Sequence, residues 1–218
     1  MSPYHSYDPD KGHGLPHDPL RAIVAPRPVG WIPTLGTDGR ANLAPYSFFN
    51  IFSYDPPILI FGSIGEKDTF RNAIASGEFV CNIASLALAP AMAQSAWPYP
   101  PEVDEFEALG LAKQASDLVA APRLRDAPVA LECRVVDSQR LRDLSGHELE
   151  SRIVIGQVLR IHIRQEHLVD GIYDLSRTRP VARCGYAGDY IATERLFDLR
   201  ARDPATPLPP FPHTTTVT

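Results

Sequence analysis

Between residues 25 and 85 the chain alternates short apolar runs with residues that break them, and this punctuation restricts the fold more than any other feature. Residues 29–35 read as a strand ended by Gly36-Thr37-Asp38-Gly39, and an Asp-Gly pair between strand-like runs is a hairpin signal. Residues 42–47 are the return strand. Asp55-Pro56-Pro57 cannot supply ladder hydrogen bonds and marks a turn. Residues 58–63 (ILIFGS) form a short, almost continuously apolar run, which fits a buried strand. Lys67-Asp68-Thr69 then opens a helix over residues 69–76, with Asp68 assigned to capping its start and Gly77 closing it. Phe70 and Ile74, four apart, share the apolar face of that helix. Residues 78–84 (EFVCNIA) are the next strand.

The pattern continues in the same manner. Residues 86–96 are Ala-rich and read as a helix, and residues 104–110 as a short one with an acidic first turn and a Gly stop. Residues 129–137 and 152–164 are two long strand candidates, the second partly alternating. The fold class is mainly β with short helices, and the strand spacing favours a closed or split antiparallel barrel over a parallel α/β sheet. Residues 1–19 read as an irregular surface arm, 20–200 as one domain, and 201–218 as a Pro- and Thr-rich tail. That tail is either loose or laid on a partner subunit, because it cannot bury enough apolar surface alone.

Composition narrows the function classes. Of 218 residues, 44% are hydrophobic and 22% charged, an ordinary globular balance, and the net charge of −5 argues against a nucleic-acid binder. Cys81, Cys133 and Cys184 form no C-x-x-C, sit among apolar residues and read as buried, unreactive thiols in a reducing compartment. The first residues lack an apolar signal core, and no apolar run approaches the roughly 20 residues of a membrane span, so the expectation is cytoplasmic.

Several chemistry-bearing motifs are missing. Neither G-x-x-x-x-G-K-[ST] nor G-x-G-x-x-G occurs. Residues 61–65 resemble a nucleophile elbow without its first glycine in register. His147-Glu148 begins a zinc-protease motif, but Ser151 stands where the second His belongs. The other histidines are scattered, and Pro16 spoils the His13/His17 pair for helical ligation, so no metal site is expected. What remains is a cluster of small polar residues around Lys67-Asp68-Thr69, an arrangement suited to a flat aromatic ligand carrying a phosphate.

Four segments carry a family resemblance: 12–19 (GHGLPHDP), 26–31 (PRPVGW), 42–50 (NLAPYSFFN) and Lys67-Asp68-Thr69. Residues 77–80, 103–106 and 131–133 add to it. In order and spacing they resemble the flavin reductase-like, FMN-binding split-barrel proteins over about residues 12–190. The resemblance implies a Greek-key barrel of about six antiparallel strands, paired as a homodimer. It implies FMN at the dimer groove, with FAD the larger alternative, reduced by hydride from NAD(P)H and passing electrons to a second flavin, oxygen or a partner monooxygenase. It implies no catalytic side-chain dyad, since the cofactor supplies the electronics.

Residue by residue, Lys67 offers a mobile positive charge for the phosphate, and Thr69 a hydroxyl near a helix start that favours an anion. Ser63, ending the preceding strand, adds a hydroxyl there. Within the resemblance, Ala44, Ser47, Phe48 and Asn50 line the flavin ring, Phe48 and Phe49 serving equally as core packing. Thr34 reaches the ring or ribityl chain, or is a plain exposed strand residue. Arg27, held between two prolines, contacts the phosphate, the dimer partner or a surface carboxylate. Ser95 stands where many relatives carry an Asn and a Thr-Ser pair. Arg183 and Tyr190 match an element that reaches the flavin across the dimer, although Tyr186 replaces one of its glycines. Ser151 stands where short-chain reductases place a His beside the nicotinamide.

Two other readings stay open. One is a non-catalytic flavin-binding or electron-carrier module. The other is the related barrel of pyridoxamine-phosphate oxidases, which calls for more basic residues than this chain places near the cluster.

Overall fold

The computed structural model describes residues 2–193 and 195–196; the expected tail lies outside them. Strand β1 (Arg27–Pro28) leads into β2 (Gly30–Leu35), β3 (Ala41–Tyr46), β4 (Phe49–Tyr54) and β5 (Pro57–Ile64). Helix α1 (Leu20–Ile23) precedes them, and α2 (Asp68–Ser76) and β6 (Glu78–Ile83) follow. Next come α3 (Ala89–Gln94), α4 (Glu105–Ala108) and a small ribbon of β7 (Lys113–Gln114) with β8 (Arg123–Leu124). The long strands β9 (Val129–Arg142) and β10 (Glu148–Ile163) lead to a second ribbon, β11 (Leu168–Val169) with β12 (Ile172–Tyr173). Helix α5 (Leu175–Thr178), β13 (Val181–Arg183) and β14 (Tyr190–Ala192) complete the order.

Seven strands form one antiparallel sheet in the order β3-β2-β6-β9-β10-β5-β4. Its edges, β3 and β4, are consecutive in the chain and joined only by Ser47 and Phe48. A flat sheet of six inter-strand steps would hold its edges about 29 Å apart. Tyr46 and Phe49 are three residues apart and can be separated by no more than about 11 Å. The sheet therefore curls until its edges meet, and it stays open there because β3 and β4 share no ladder. This is the split barrel expected.

Irregularities help the curl. The β9–β10 register shifts at three places, one between Ile155 and Gly156. A Cβ on Gly156 would lie 2.4 Å from the Phe79 ring. The missing side chain is what lets Phe79 sit inside the barrel, edge-on to Phe61 at 5.3 Å. Ile32, Phe61, Phe79, Val154 and the two buried thiols fill that interior. Trp31, Leu43, Met92, Phe106 and Leu124 make a second core under α3 and α4.

Local expectations hold with corrections. The β2–β3 hairpin spans Leu35↔Ala41, and Gly39 takes a positive φ of 80° at its turn. Gly77 ends α2 in the left-handed region. Asp68 is not the cap. Lys67 holds that position, and Asp68 is the first helical residue, its carboxylate paired with Arg71. Ile74 faces outward, while Ala73 and Phe70 turn to the core. The 86–96 helix divides into a 3₁₀ turn at Leu86–Leu88 and α3, where Pro90 sits in the first turn and has no N–H to continue the preceding ladder. Strand β4 was not expected from the sequence pattern. The strands at 129–137 and 152–164 are longer than expected, because their polar ends pair through Arg140 and Arg142 to Glu148. Cys184 is partly exposed, unlike Cys81 and Cys133.

Candidate functional site

The split places an unusual backbone edge beside the start of α2. In the β2–β3 hairpin Pro33 lies opposite Leu43 and Pro45 opposite Trp31. Neither proline can donate to a ladder, so these pairs take the non-bonded positions. The outward N–H of Leu43 is satisfied instead by Glu105 Oε2 at 2.9 Å. Burial pushes the Glu105 carboxyl up, against the Leu43 hydrogen bond that lowers it.

A cleft of about 290 Å³ opens between this edge, the start of α2 and the segment after α3. Ala44, Lys67, Thr69 and Ser95 all line it, so four of the expected residues come together. The start of α2 has no side-chain cap, and its first turn leaves backbone N–H groups free. Lys67 is exposed beside them, and the adjacent Asp68 is occupied by Arg71. Thr69 Oγ1 accepts from Asn42 Nδ2 at 2.8 Å, which leaves its own proton free to donate. Ser95 is differently placed. Its hydroxyl accepts from Trp31 Nε1 at 2.9 Å and donates to the Met92 carbonyl at 2.8 Å, so it braces the wall.

A second, larger cleft of about 470 Å³ begins at the Ser47–Phe48 connection. Arg27, Ser47, Phe48, Asn50 and Ser63 line it. Phe48 is about half exposed and is not core. Asn50 Oδ1 accepts from the Ile51 N–H at 2.8 Å. Ser63 is buried and donates to the Gly65 carbonyl at 2.9 Å. Arg27 reaches neither a carboxylate nor the first cleft: its guanidinium donates to the carbonyls of Arg21 at 2.6 Å, Val24, and Cys184 at 3.1 Å.

Three expected residues join neither cleft. Thr34 is fully buried, not exposed, and accepts from Asn72 at 3.2 Å. Arg183 donates to the Tyr190 hydroxyl at 2.8 Å and lies over its ring, so the two partner each other on β13 and β14.

The structure adds residues that the sequence did not single out. Among the described residues, three buried side-chain polar atoms have no hydrogen-bond partner: Arg27 Nε, Tyr46 Oη and Arg152 Nη1. Tyr46 lines the first cleft and the other two the second. The Tyr46 hydroxyl lies close to Thr69 and Ser63 but outside hydrogen-bond geometry to either; burial pushes its pKa up, against the two hydroxyls that lower it. Trp97 and Tyr99 form the aromatic lip of the first cleft, Trp97 being 66% exposed. The run Trp97-Pro98-Tyr99-Pro100 carried a signal, since large rings held by prolines on a loop are not core. Tyr46 and Arg152 carried none.

Away from both clefts, Asp117, Glu132 and His162 gather within 4.8 Å. Glu132 is wholly buried and accepts from the Asp117 N–H at 2.8 Å and the Leu118 N–H at 2.6 Å, with His162 Nε2 at 2.6 Å. Burial alone would raise its carboxyl, but these bonds outweigh it and hold it below the usual range. Its donors make it a latch for the 117–118 loop.

Comparison with known proteins agrees with this geometry. An uncharacterized protein of Aquifex aeolicus is 33% identical over 169 residues, 75% of this chain and 83% of its own length. One from Deinococcus radiodurans is 34% identical over 192 residues, 83% of this chain and 82% of its own. Among solved structures, nitrilotriacetate monooxygenase component B of Bacillus cereus superposes with a TM-score of 0.78 at 28% identity, covering 91% of this chain and 97% of that one. The 2-nitrobenzoate 2-nitroreductase of Pseudomonas fluorescens gives 0.73 at 27%, covering 90% and 91%. The profile of the flavin reductase like domain matches residues 22–181, and with the split barrel and these relatives the chain belongs to the flavin reductase-like family.

Proposed function

We propose that this protein binds FMN and takes hydride onto it from NAD(P)H, as a flavin oxidoreductase. One observation carries the reading. An uncommitted lysine, an uncapped helix start and an orphaned tyrosine hydroxyl meet in one cleft beside a β edge. A phosphate suits Lys67, the free N–H groups of α2 and the donating hydroxyl of Thr69. The polar edge of a flat ring suits the Ala44–Ser47 backbone, where small side chains permit close approach, and the Tyr46 hydroxyl, which lacks a partner in the protein. The residues therefore fit the group.

Bound flavin would supply a two-electron acceptor, chemistry that no side chain of the cleft provides. The chain's own residues bind and orient. Glu105 and Pro45 leave the β3 edge without a free donor at these positions, so no strand pairs there and the cleft stays open. Ser95 fixes Trp31 and the end of α3 as its wall.

The remaining assignments follow from the same reading. Residues 20–200 form the FMN-binding split-barrel domain, flanked by an arm and a tail, and two copies pair. The relatives named as a monooxygenase component and a nitroreductase support a downstream electron acceptor, either a partner monooxygenase or a small oxidant. Among the described residues no helix is long and apolar enough to cross a membrane, and a cytoplasmic location accords with this.

The test is direct. Purified protein should quench added FMN fluorescence, and NADH or NADPH should bleach the bound flavin band under anaerobic conditions. Absence of quenching sinks the reading. Quenching without bleaching favours the second reading, an electron carrier without its own nicotinamide site, which the presence of Ser151 in the second cleft supports.

A further inference from the structure

A third cleft, of about 370 Å³, lies between the β7–β8 ribbon, the start of β9 and the end of β10. It shares no residue with the two clefts at the split. Arg123, Arg125, Arg164 and His162 line it and no carboxylate does, in a chain of net charge −5. The acids around it compensate these arginines only in part. Asp126 Oδ1 lies 3.6 Å from Arg125 Nε and 3.8 Å from Arg164 Nη1, so one carboxylate serves two guanidiniums at loose distances. Arg164 Nη1 also donates to the Arg125 carbonyl at 3.2 Å, which holds the two residues side by side, and Glu166 takes Arg164 Nε at 3.0 Å. Arg123 has no ion pair among the described residues. Its Nε and Nη2 both donate to the Ala115 carbonyl, at 3.2 and 3.0 Å, which fixes the fork and leaves Nη1 unpaired and not buried. Asp117 feels the Arg123 charge but is held by Arg160 at 2.7 Å, and His162 is turned to Glu132. The guanidiniums can be reached, since the side chains of Arg125 and Arg164 are 59% and 42% exposed. Apart from Gln114, the remaining side chains of the wall are apolar, and Ile161 among them is 54% exposed.

We propose that this cleft binds a small phosphate monoester, its dianion held by Arg123, Arg125 and Arg164 and its organic part laid on Ile161 and Ile163. A phosphate brings three acceptor oxygens and more charge than one carboxylate, so it takes the place of Asp126 between the two guanidiniums. The apolar wall gives the ester its organic half: a bare anion leaves Ile161 in water, and a ring or chain covers it. Size agrees, since about 370 Å³ is near the lower end of small-molecule sites and small for a dinucleotide. The site is independent of the flavin reading, which gives its phosphate to the start of α2.

The test titrates the full chain with phenyl phosphate and with inorganic phosphate at fixed ionic strength, read by calorimetry. Phenyl phosphate should bind at least about threefold more tightly than phosphate, the scale of partly covering one isoleucine. Arg123→Gln and Arg164→Gln should each weaken it up to about fivefold, as expected for partly exposed charged contacts. Asp126→Asn should tighten it by a similar factor, because the built-in competitor is gone. A gain in affinity cannot come from damage to the fold, so this arm decides even where an arginine variant fails to fold. Arg134→Gln, on β9 but outside the cleft, should leave the affinity unchanged; a loss there equal to that of Arg164→Gln reduces the effect to net charge and overturns the proposal. Loss of binding in Lys67→Gln with none in the arginine variants gives the anion to the first cleft and overturns it as well. So does equal affinity for the two probes, an Asp126→Asn chain that binds no more tightly than wild type, or no binding at millimolar concentration.

Discussion

Replacing Lys67 with Gln should weaken FMN and leave riboflavin untouched. Lys67 holds the cap position of α2, is exposed, and has its neighbouring carboxylate occupied by Arg71. An ammonium about 4 Å from a phosphate oxygen interacts by about 1 kcal/mol in water and about 4 kcal/mol near a protein surface of lower dielectric. Exposure places Lys67 toward the lower end, so about 1–2 kcal/mol, or roughly 5–30-fold in affinity, is expected. The free N–H groups of α2 and the Thr69 hydroxyl remain, so binding is weakened and not abolished. Quenching titrations with FMN and with riboflavin, which shares the ring and lacks the phosphate, separate the two contributions. The FMN loss should shrink as salt rises, because an exposed pair is screened within about 8–10 Å. An equal loss for both ligands would refute the argument, since Lys67 would then be shaping the cleft. No loss for either would move the phosphate away from α2.

Three further outcomes are expected. Glu132→Gln strips charge from a carboxylate holding two backbone N–H groups and His162, and should cost about 2–4 kcal/mol at neutral pH, visible as a lower Tm. Because the folded carboxyl is held below its unfolded value, its stabilisation is complete above about pH 4.3 and fades as pH falls through the lower folded value. The gap between wild type and variant should therefore narrow in acid, and a gap that widens refutes the latch. Gly156→Ala drives a methyl into the Phe79 ring and should cost about 1–3 kcal/mol in urea unfolding; Phe79→Leu should recover part of it, and strict additivity would deny the contact. Trp97 is exposed at the lip of the first cleft whereas Trp31 is fully buried, so FMN should shield Trp97 from acrylamide, and Trp97→Phe should remove that protection.

The parts of the fold legible in sequence were those governed by local chemistry. Gly39, Gly77 and the Asp55-Pro56 break act through backbone conformation and announce themselves. Strand β4 did not, because Ile51, Phe52 and Tyr54 are exposed on an edge and show no inside-outside alternation. The far ends of β9 and β10 did not either. Arg140, Arg142 and Glu148 hold them by charge, and charge pairing across a ribbon leaves no apolar period. At the site, Lys67 and Thr69 were legible because a cation beside a helix start is a local arrangement. Asp68 misled, since an acidic residue there looks like a cap until Arg71 is seen to hold it. Tyr46 and Arg152 were illegible in principle. A tyrosine in a strand reads as core and an arginine in a strand as surface. What sets these two apart is a missing partner, and that can be counted only after the chain has folded.

The missing partners also point to the two clefts without reference to any relative. A buried polar group left unpaired costs about 1–3 kcal/mol, so native chains avoid it nearly everywhere. Here the three such side-chain atoms among the described residues are not spread over the barrel. All three line the two clefts that meet at Tyr46, Ser47 and Phe48, where the curled sheet brings its edges together and fails to join them. A closed ladder there would have satisfied its backbone and left no cleft. An open edge that served nothing would be expected to fill with apolar side chains, as the β6–β9 side of the barrel does with Phe79, Val80 and Cys81. The split instead holds buried side-chain atoms that lack a hydrogen-bond partner: a hydroxyl on the side of the uncapped helix, and guanidinium N–H groups on the side of the apolar wall.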